Sequence, residues 1–209
     1  MNILILSPHT DDAELGCGGS ICKFLENEHP VYWLVFSSAE ESLPKGMSKD
    51  TLKYEFYNVA KKLKLCERDI KVCGFKVRYL HQHRQQILDE LIKARKKFKP
   101  DLVIGPSIND YHQDHQIIAN EMIRAFKTTA SIISYELPWN HVTFNTQMFT
   151  KLNEDHISTK CDLLKNYKSQ YMKERLYFSD EFIFGLARSR GVQCNSKYAE
   201  AFEVIRWML

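Results

Sequence analysis

Short apolar runs alternate with amphipathic segments over the first two thirds of the chain, and this alternation limits the possible folds more than any other feature. Residues 2–7, 31–37 and 101–106 are apolar almost throughout, which is typical of strands buried on both faces of a parallel sheet. Residues 51–65 and 84–97 carry apolar side chains at helical spacing instead. Strands that alternate with helices predict right-handed βαβ units, and therefore an α/β fold with a Rossmann-like, mainly parallel sheet and helices on both faces.

The remaining segments continue this pattern less regularly toward the end of the chain. Residues 70–75 and 131–136 are further predicted strands, 200–208 is a last strand or extended segment, and the further predicted helices are 20–28, 116–127, 160–173 and 181–190. No internal repeat, linker or low-complexity tract interrupts the 209 residues, which are enough to build one sizeable core. We therefore expect a single domain over residues 1–209.

Composition and charge exclude several classes of protein. Apolar residues make up 44% of the chain and charged residues 26%, which are ordinary globular values and exclude disorder as the main state. The 29 Lys and Arg nearly balance the 26 Asp and Glu, and the formal charge of +3 does not indicate a nucleic-acid partner. No apolar stretch approaches the roughly 20 residues that cross a bilayer, so no membrane span is expected.

The N-terminal apolar run and the cysteines bear on the cellular compartment. Residues 1–6 have no basic region ahead of the apolar run, which ends at once in a turn, so we interpret this run as a buried strand and expect a cytoplasmic protein. The six cysteines could pair in a secreted protein, but no two have C-x-x-C spacing, and free thiols are the expected state. The sequence leaves open whether the chain forms a homo-oligomer.

Two clusters of polar residues follow predicted strands, at the points where the chain turns into a helix. The first occupies residues 7–19 (SPHTDDAELGCGG) and the second residues 109–115 (NDYHQDH). In open α/β sheets, ligands bind outside the carboxyl ends of the strands, so both clusters lie where a site is expected. Each cluster combines His with Asp, which are common ligands of Zn²⁺ and of other divalent metals.

The spacing within the clusters favours a metal site with an open position. His9 and Asp12 are three residues apart, so one loop can chelate a metal from two sides. Asp11 and Asp12 are adjacent and point in divergent directions in most backbone conformations, so one can bind the metal while the other faces a metal-bound water. His112 and His115 are also three residues apart. Three protein ligands would leave a fourth position for substrate or water, as in catalytic zinc sites.

Both clusters also have structural alternatives. Asp11 and Asp12 could be first-turn acids that the helix dipole stabilises. Residues 112–115 could be a capping loop with solvated imidazoles. The glycines of residues 16–19 lack the third glycine of the G-x-G-x-x-G fingerprint, so they predict a tight turn and a close helix–strand approach rather than a dinucleotide site.

The motifs resemble those of a known family. Residues 8–14 (PHTDDAE) followed by 16–19 (GCGG) resemble the signature of the PIG-L/LmbE-like family of zinc-dependent N-deacetylases, and residues 112–115 (HQDH) resemble its second motif, His-Pro-Asp-His. Thr10 and Gln113 stand where the family usually has proline. The supporting pattern covers nearly the whole chain and includes residues 101–106, 160–170 and 199–203.

The resemblance implies roles for three residues of the first cluster and for one of the second. By this resemblance His9, Asp12 and His115 are the zinc ligands, with His115 supplied by the second cluster. Asp11 is then the general base that takes a proton from the zinc-bound water. Zinc lowers the pKa of its water toward about 7 and polarises the acyl carbonyl, and a positioned base contributes roughly 10²–10⁴-fold.

The resemblance and the predicted strand ends indicate further site residues. By resemblance, His112 stabilises the oxyanion or protonates the leaving amine, and Asp114 lies beside the site and orients His112. Arg78 and Arg84 follow the third predicted strand and could hold a phosphate or a sugar hydroxyl, with a solvated loop as the alternative. Trp139 follows the fifth predicted strand and could pack on a sugar ring or belong to the core.

The expected function is a metal-dependent hydrolase that removes an N-acyl group, first of all N-acetyl, from a small-molecule amino sugar or sugar conjugate. A deformylase or amidase acting on another N-acyl substrate stays open, as does a non-catalytic sugar- or nucleotide-binding protein. Asp11 and His112 argue against the binding protein, because mere binding requires neither. A glycosidase is disfavoured, since adjacent carboxylates cannot easily flank a glycosidic bond at about 5–10 Å separation.

Overall fold

A seven-stranded sheet lies at the centre of the computed structural model, which describes residues 1–208. The strands are β1 (Ile3–Ser7), β2 (Val31–Val35), β3 (Ile70–Val72), β4 (Leu102–Pro106), β5 (Ser131–Tyr135), β6 (Met148–Leu152) and β7 (Tyr198–Arg206). Their spatial order is β3-β2-β1-β4-β5-β7-β6. The first five in this order run parallel, whereas β7 is antiparallel to both of its neighbours. The predicted mainly parallel α/β sheet is therefore confirmed.

Helices cover both faces of the sheet because each central strand is apolar on both sides. They are α1 (Asp12–Glu26), α2 (Thr51–Lys62), α3 (Arg84–Phe98), α4 (Gln113–Phe126), α5 (Glu154–Leu164), α6 (Lys168–Tyr171) and α7 (Asp180–Gln193). Ile3 and Ile5 point into a core that α1, α2, α5 and α7 cover, while Leu4 and Leu6 point into a second core under α3 and α4. The two-residue period of a strand thus supplies both cores from one continuous apolar run.

Helix α1 begins well before the predicted start at residue 20, and its middle is broken. Cys17 has a non-helical φ of −147°, and the backbone N–H groups of Gly19 and Ser20 donate to the Glu200 carboxylate at 3.0 and 2.7 Å. Lys160 Nζ lies 2.7 Å from the same carboxylate. Glu200 therefore caps the second half of α1 and ties it to α5 and β7.

The glycine-rich segment is helical rather than the predicted tight turn. The expected close approach between helix and strand is confirmed, because a Cβ atom added at Gly16 would lie 2.6 Å from Cγ of Tyr135 on β5. Side chains larger than hydrogen at this position would keep α1 away from the sheet. The glycine therefore sets the distance between the helix and the strand.

The last third of the chain differs from the prediction in two places. Strand β6 (Met148–Leu152) was not predicted, and it pairs with β7 at the edge of the sheet. The predicted helix over residues 160–173 is two helices, α5 and α6, separated by a turn that contains the buried Tyr167. Both segments lack strong periodicity, so their structure depends on the partners against which they pack.

Two further predictions concern membrane-spanning helices and disulfide bonds. No helix among residues 1–208 has the length and apolar character needed to cross a bilayer. All six cysteines are free thiols, and Cys17 and Cys161 are buried among apolar side chains. These two buried thiols therefore act in packing rather than as cross-links.

The sheet topology brings the two polar clusters together. Strands β1 and β4 are parallel neighbours, with Ile5 opposite Ile104. The loops that follow Ser7 and Pro106 consequently leave the same edge of the sheet side by side. Each loop leads directly into a helix, α1 or α4, so the first turns of both helices face one cleft at the carboxyl edge.

Candidate active site

A cleft of about 240 Å³ opens at the carboxyl edge of the parallel strands. Side chains from both polar clusters form its floor. Its walls come from the loops after β2, β3 and β5 and from residues 165–179, the segment around α6. The predicted site residues that line the cleft are His9, Asp11, Asp12, Arg78, His112, His115 and Trp139. The topology therefore collects side chains that lie far apart in the sequence.

Three side-chain atoms on the cleft floor converge on one point. His9 Nδ1 lies 3.1 Å from Asp12 Oδ2, and His115 Nε2 lies 3.2 Å from the same oxygen. The two ring nitrogens are 3.3 Å apart. The His9 backbone N–H also donates to Asp12 Oδ2 at 2.7 Å, which fixes the carboxylate over the loop.

His112 widens this convergence into a group of three imidazoles. His9, His112 and His115 each offer a ring nitrogen, and these atoms all lie within 4.8 Å of one another, so the three residues could hold a metal ion. The rings of His9 and His112 pack edge to face, with centroids 4.9 Å apart. The cleft floor thus contains both this group and the tighter set of His9, Asp12 and His115.

Buried carboxylates hold the far side of two of these rings. His9 Nε2 lies 3.0 Å from Asp114 Oδ2, and His115 Nδ1 lies 2.6 Å from Asp110 Oδ2. Each ring therefore presents its other nitrogen to the cleft. Carboxylates commonly orient metal-binding imidazoles in this way, because the hydrogen bond fixes both the tautomer and the orientation of the ring.

The contacts of Asp114 differ from the role that the resemblance implied. Its carboxylate accepts from the backbone N–H of Arg78 at 2.6 Å in addition to contacting His9. Only its backbone N–H contacts His112, donating to Nδ1 at 3.2 Å. Asp114 therefore positions His9 with its side chain and His112 with its main chain. It is fully buried and does not line the cleft.

The charge of Asp12 dominates the protonation of the two rings beside it. Burial by itself lowers the pKa of His9, but the Asp12 carboxylate and the hydrogen bond to Asp114 outweigh burial and raise that pKa to about 9. Burial also lowers the pKa of His115, but the Asp12 and Asp110 carboxylates outweigh burial and raise that pKa to about 10. The same two imidazoles hold the pKa of Asp12 far below its ordinary value. A cation bound at this point would displace both protons.

Among the carboxylates and imidazoles that line the cleft, Asp11 and His112 have pKa values shifted toward their neutral forms. Burial and the adjacent Asp12 charge raise the pKa of Asp11 to about 6, against the opposing charges of His9 and Arg175. Burial and the neighbouring imidazoles lower the pKa of His112 to about 4. Asp11 stands at the N-cap of α1 and His112 at the N-cap of α4, so both project from a helix start into the cleft.

The predicted substrate residues separate into two groups. Arg78 lines the cleft from a backbone with a φ of 69°, and Trp139 lines it from the loop after β5. Arg84 instead contacts the buried Glu121 of α4, with its Nε at 2.7 Å and its Nη2 at 2.6 Å from Oε1. Arg84 is absent from the cleft lining, because its position in the first turn of α3 directs it toward α4. Its predicted role in substrate binding is therefore not supported by its position.

Three residues of the cleft wall were not predicted from the sequence. Gln170, Arg175 and Tyr177 line the cleft from the segment around α6, and Tyr177 stacks on Trp139 with ring centroids 3.9 Å apart. Asp110 was likewise part of the second cluster but received no role. No motif or spacing marks Gln170, Arg175 and Tyr177, because their relation to the site arises only when the chain folds back over it, whereas Asp110 could have been found from its place in the second cluster.

The comparison with known families agrees with this geometry. The family described as GlcNAc-PI de-N-acetylase, PIG-L, matches residues 4–126, which contain both polar clusters. The chain belongs to the PIG-L family. Its membership confirms the resemblance seen in the sequence and identifies the protein as a deacetylase-type hydrolase.

Curated and structural relatives of this PIG-L protein extend the comparison. An uncharacterised deacetylase, YaiS, of Escherichia coli K12 is 26% identical over 171 residues, which cover 80% of this chain and 90% of that protein. The N,N'-diacetylchitobiose deacetylase of Pyrococcus horikoshii superposes with a TM-score of 0.80 at 18% identity, covering 98% of this chain and 83% of the other. GalB of Pseudomonas putida KT2440, a 4-carboxy-2-hydroxymuconate hydratase, superposes with a TM-score of 0.82 at 17% identity, covering 100% of this chain and 98% of the other. Enzymes with different reactions therefore share this fold, and the likeness to these solved structures shows the fold alone.

Proposed function

We propose that this PIG-L protein is a metal-dependent hydrolase that removes an N-acyl group, first of all acetyl, from an amino sugar or sugar conjugate. The observation that carries the proposal is the convergence of His9 Nδ1, Asp12 Oδ2 and His115 Nε2 at mutual distances of 3.1 to 3.3 Å. Asp11 lines the same cleft as these three groups. The cleft thus holds both the candidate metal ligands and a carboxylate that can act as a base.

The three converging atoms fit a zinc ion. Ligands at tetrahedral corners about 2.0–2.1 Å from zinc are about 3.3 Å apart, close to the separations in this cleft. We propose His9, Asp12 and His115 as the ligands, with His112 facing the substrate instead. When bound, a divalent cation here lowers the pKa of water and polarises the acyl carbonyl, and other divalent metals fit the same donors.

Asp11 is the proposed general base. It is half-buried, lines the cleft and accepts no hydrogen bond from another side chain among residues 1–208, so it is available to take a proton from the attacking water. In the metal-free chain, burial and the charge of Asp12 raise the pKa of Asp11 to about 6, and a cation bound to Asp12 would favour the ionised carboxylate that acts as a base. The same carboxyl can then return the proton to the leaving amine.

His112 is the proposed donor to the oxyanion. Its Nδ1 accepts the backbone N–H of Asp114 at 3.2 Å, which places the proton of the neutral ring on Nε2. Burial and the neighbouring imidazoles lower the pKa of His112 to about 4, so the neutral ring dominates at neutral pH. A neutral N–H donor stabilises negative charge on the carbonyl oxygen and favours this role over proton transfer to the amine.

The cleft wall supports a sugar as the substrate. Trp139 and Tyr177 line the cleft and stack face to face at an interplanar angle of 10°, so a sugar could pack on an outer face of this pair. Asn140 and Gln170 add amide groups that can bond to hydroxyls. An aromatic face beside polar groups suits a pyranose ring, and the Pyrococcus horikoshii relative is named for an N-acetylated disaccharide.

The decisive experiment measures acyl release and metal content in one preparation. The protein is incubated with N-acetyl and N-formyl glucosamine and with their methyl glycosides, and free acetate and formate are quantified. We expect release that a chelator abolishes and a divalent metal restores. Formate alone would identify a deformylase, whereas tight sugar binding without release of either acid would identify a binding protein and contradict the proposal.

A further inference from the structure

Three cationic side chains lie in or beside the cleft, close enough for Arg175 and Arg78 to act electrostatically on Lys173. Arg78 follows β3, while Lys173 and Arg175 belong to the segment around α6. Arg78 and Arg175 line the cleft, and Lys173 donates to the backbone carbonyl of Ser42, another lining residue. Burial and the positive charges of Arg175 and Arg78 lower the pKa of Lys173. The Asp11 carboxylate acts in the opposite direction, so it belongs to the same electrostatic environment.

None of these three cations has a carboxylate partner. Among residues 1–208, no carboxylate oxygen lies within 4 Å of a charged nitrogen of Arg78, Lys173 or Arg175. Arg175 donates to the hydroxyl of Tyr177 at 2.6 Å and its guanidinium lies 5.6 Å from the centre of that ring, and both contacts are to a neutral side chain. Arg84, by contrast, directly contacts Glu121, so unpaired arginines are not general around this site.

Partial burial makes this lack of partners significant. Lys173 and Arg175 are half-buried, and each loses hydration without gaining an ion pair. Like charges in a shared cleft also repel each other, which adds to the energetic cost. An anionic ligand that reaches all three groups would remove both penalties, and a guanidinium offers paired donors that match a phosphate or a carboxylate.

We propose that Lys173 and Arg175, together with Arg78, form a subsite for an anionic group, a phosphate or a carboxylate, carried by the substrate beyond its N-acyl sugar. The sugar part of this statement rests on the proposed function, while the anion part rests on the unpaired cations alone. In such a complex the acyl group faces His9 and Asp12 on the floor of the cleft, and the anion faces Arg175 and its neighbouring cations. Lys173 and Arg175 would then determine which sugars are accepted.

The same cations have a second conceivable role. Positive charge near Asp11 favours its ionised form, so the cluster could serve the base alone rather than a substrate. In that case, removing a cation would change turnover of neutral and anionic substrates by the same factor. A substrate subsite instead predicts a loss confined to the anionic compounds, so the ratio between the two classes separates these roles.

The test uses product binding, which does not depend on turnover. Dissociation constants are measured by calorimetry for glucosamine 1-phosphate, glucosamine 6-phosphate, muramic acid and the neutral methyl glucosaminide. The proteins are wild type, Lys173→Met, Arg175→Gln and a matched control, Lys168→Met, whose exposed side chain lies outside the cleft lining. Lys173→Arg serves as a charge-preserving rescue, and thermal melts verify folding of each variant.

We expect wild type to bind at least one phosphate or the carboxylate on the order of 10–100-fold more tightly than the neutral glycoside, as for hydrogen bonds to charged groups. Lys173→Met and Arg175→Gln should bring this ratio close to one, while Lys168→Met and Lys173→Arg keep it. The three anionic compounds distinguish phosphate from carboxylate and one position on the ring from another. Equal binding of neutral and anionic products by wild type, or an unchanged ratio in both variants, would overturn the subsite. Either result leaves acyl release to be judged separately.

Discussion

The Oδ2 atom of Asp110 lies 2.6 Å from Nδ1 of His115, and both side chains are almost fully buried. This contact turns Nε2 of His115 toward His9 and Asp12 on the cleft floor. The carboxylate therefore acts on the proposed metal site through the ring that it holds. A residue without any contact to the metal position can thus govern metal affinity.

Replacement of Asp110 with Asn should weaken metal binding while the fold persists. The amide keeps the size of the side chain but removes the negative charge that orients His115 and makes its ring a stronger ligand. We expect about 10–100-fold lower affinity, measured by competition with a chromophoric chelator. Asp89→Asn, on the exposed face of α3, is the matched control and should retain wild-type affinity. Unchanged affinity in Asp110→Asn would contradict the positioning role of Asp110.

Replacement of His115 with Ala should abolish stoichiometric metal binding. The substitution removes one of three converging ligand atoms at the edge of the sheet, and the apolar cores beneath it remain intact. Elemental analysis of the purified variant should show little metal, and its circular dichroism should match wild type. His81→Ala removes an exposed imidazole outside the cleft and should leave the metal content unchanged. Metal retained at wild-type affinity in His115→Ala would refute the ligand assignment.

Replacement of Asp11 with Asn should reduce kcat by roughly 10²–10⁴-fold, since the amide cannot accept the proton of the attacking water. Metal content should stay near that of wild type, because Asp12, not Asp11, contacts His9 and His115. Acyl release under saturating substrate and elemental analysis measure the two quantities. If Asp11→Asn loses the metal while Asp12→Asn keeps it, the two carboxylates have the opposite roles.

Replacement of Trp139 with Ala should raise KM for the sugar with a smaller change in kcat. The indole stacks on Tyr177 in the cleft wall. Its loss removes a contact with the sugar that the ground state and the transition state share. An increase of about two- to tenfold corresponds to the usual strength of an aromatic contact. Trp207→Ala deletes another exposed indole, outside the cleft, and should leave KM unchanged. A change in kcat alone would place Trp139 outside substrate binding.

Replacement of Gly16 with Ala should lower the free energy of unfolding by about 1–3 kcal/mol, the usual effect of overpacking. The new methyl group would lie 2.6 Å from Cγ and 2.9 Å from Cβ of Tyr135, so α1 and β5 must separate. Urea denaturation measures the change. Gly185→Ala in α7 is the control, because nothing lies within 4 Å of its added Cβ, and it should be neutral or stabilising. Equal stability of both variants would mean that α1 does not depend on this close approach.

Local pattern was sufficient to predict the parallel half of the fold. The apolar runs of β1, β2 and β4 and the helical spacing of α2 and α3 are each contained in a continuous segment, and the structure places them close to the predicted bounds. Strand β6 escaped prediction because its residues Met148–Leu152 alternate only weakly, and it forms through pairing with β7. A strand that depends on a distant partner leaves little trace in its own sequence.

The sequence by itself determined which residues could do chemistry, because His9, Asp11 and Asp12 share one short loop and His112 and His115 share another. Tertiary structure decided what surrounds them. Parallel pairing of β1 with β4 joined the two loops, and the packing of α3 on α4 turned Arg84 to Glu121. The fold of the segment around α6 likewise placed Arg175 in the cleft. The spacing of metal ligands within one loop is a local property of the sequence. The direction of a long side chain instead depends on the charges and surfaces that the tertiary structure places near it.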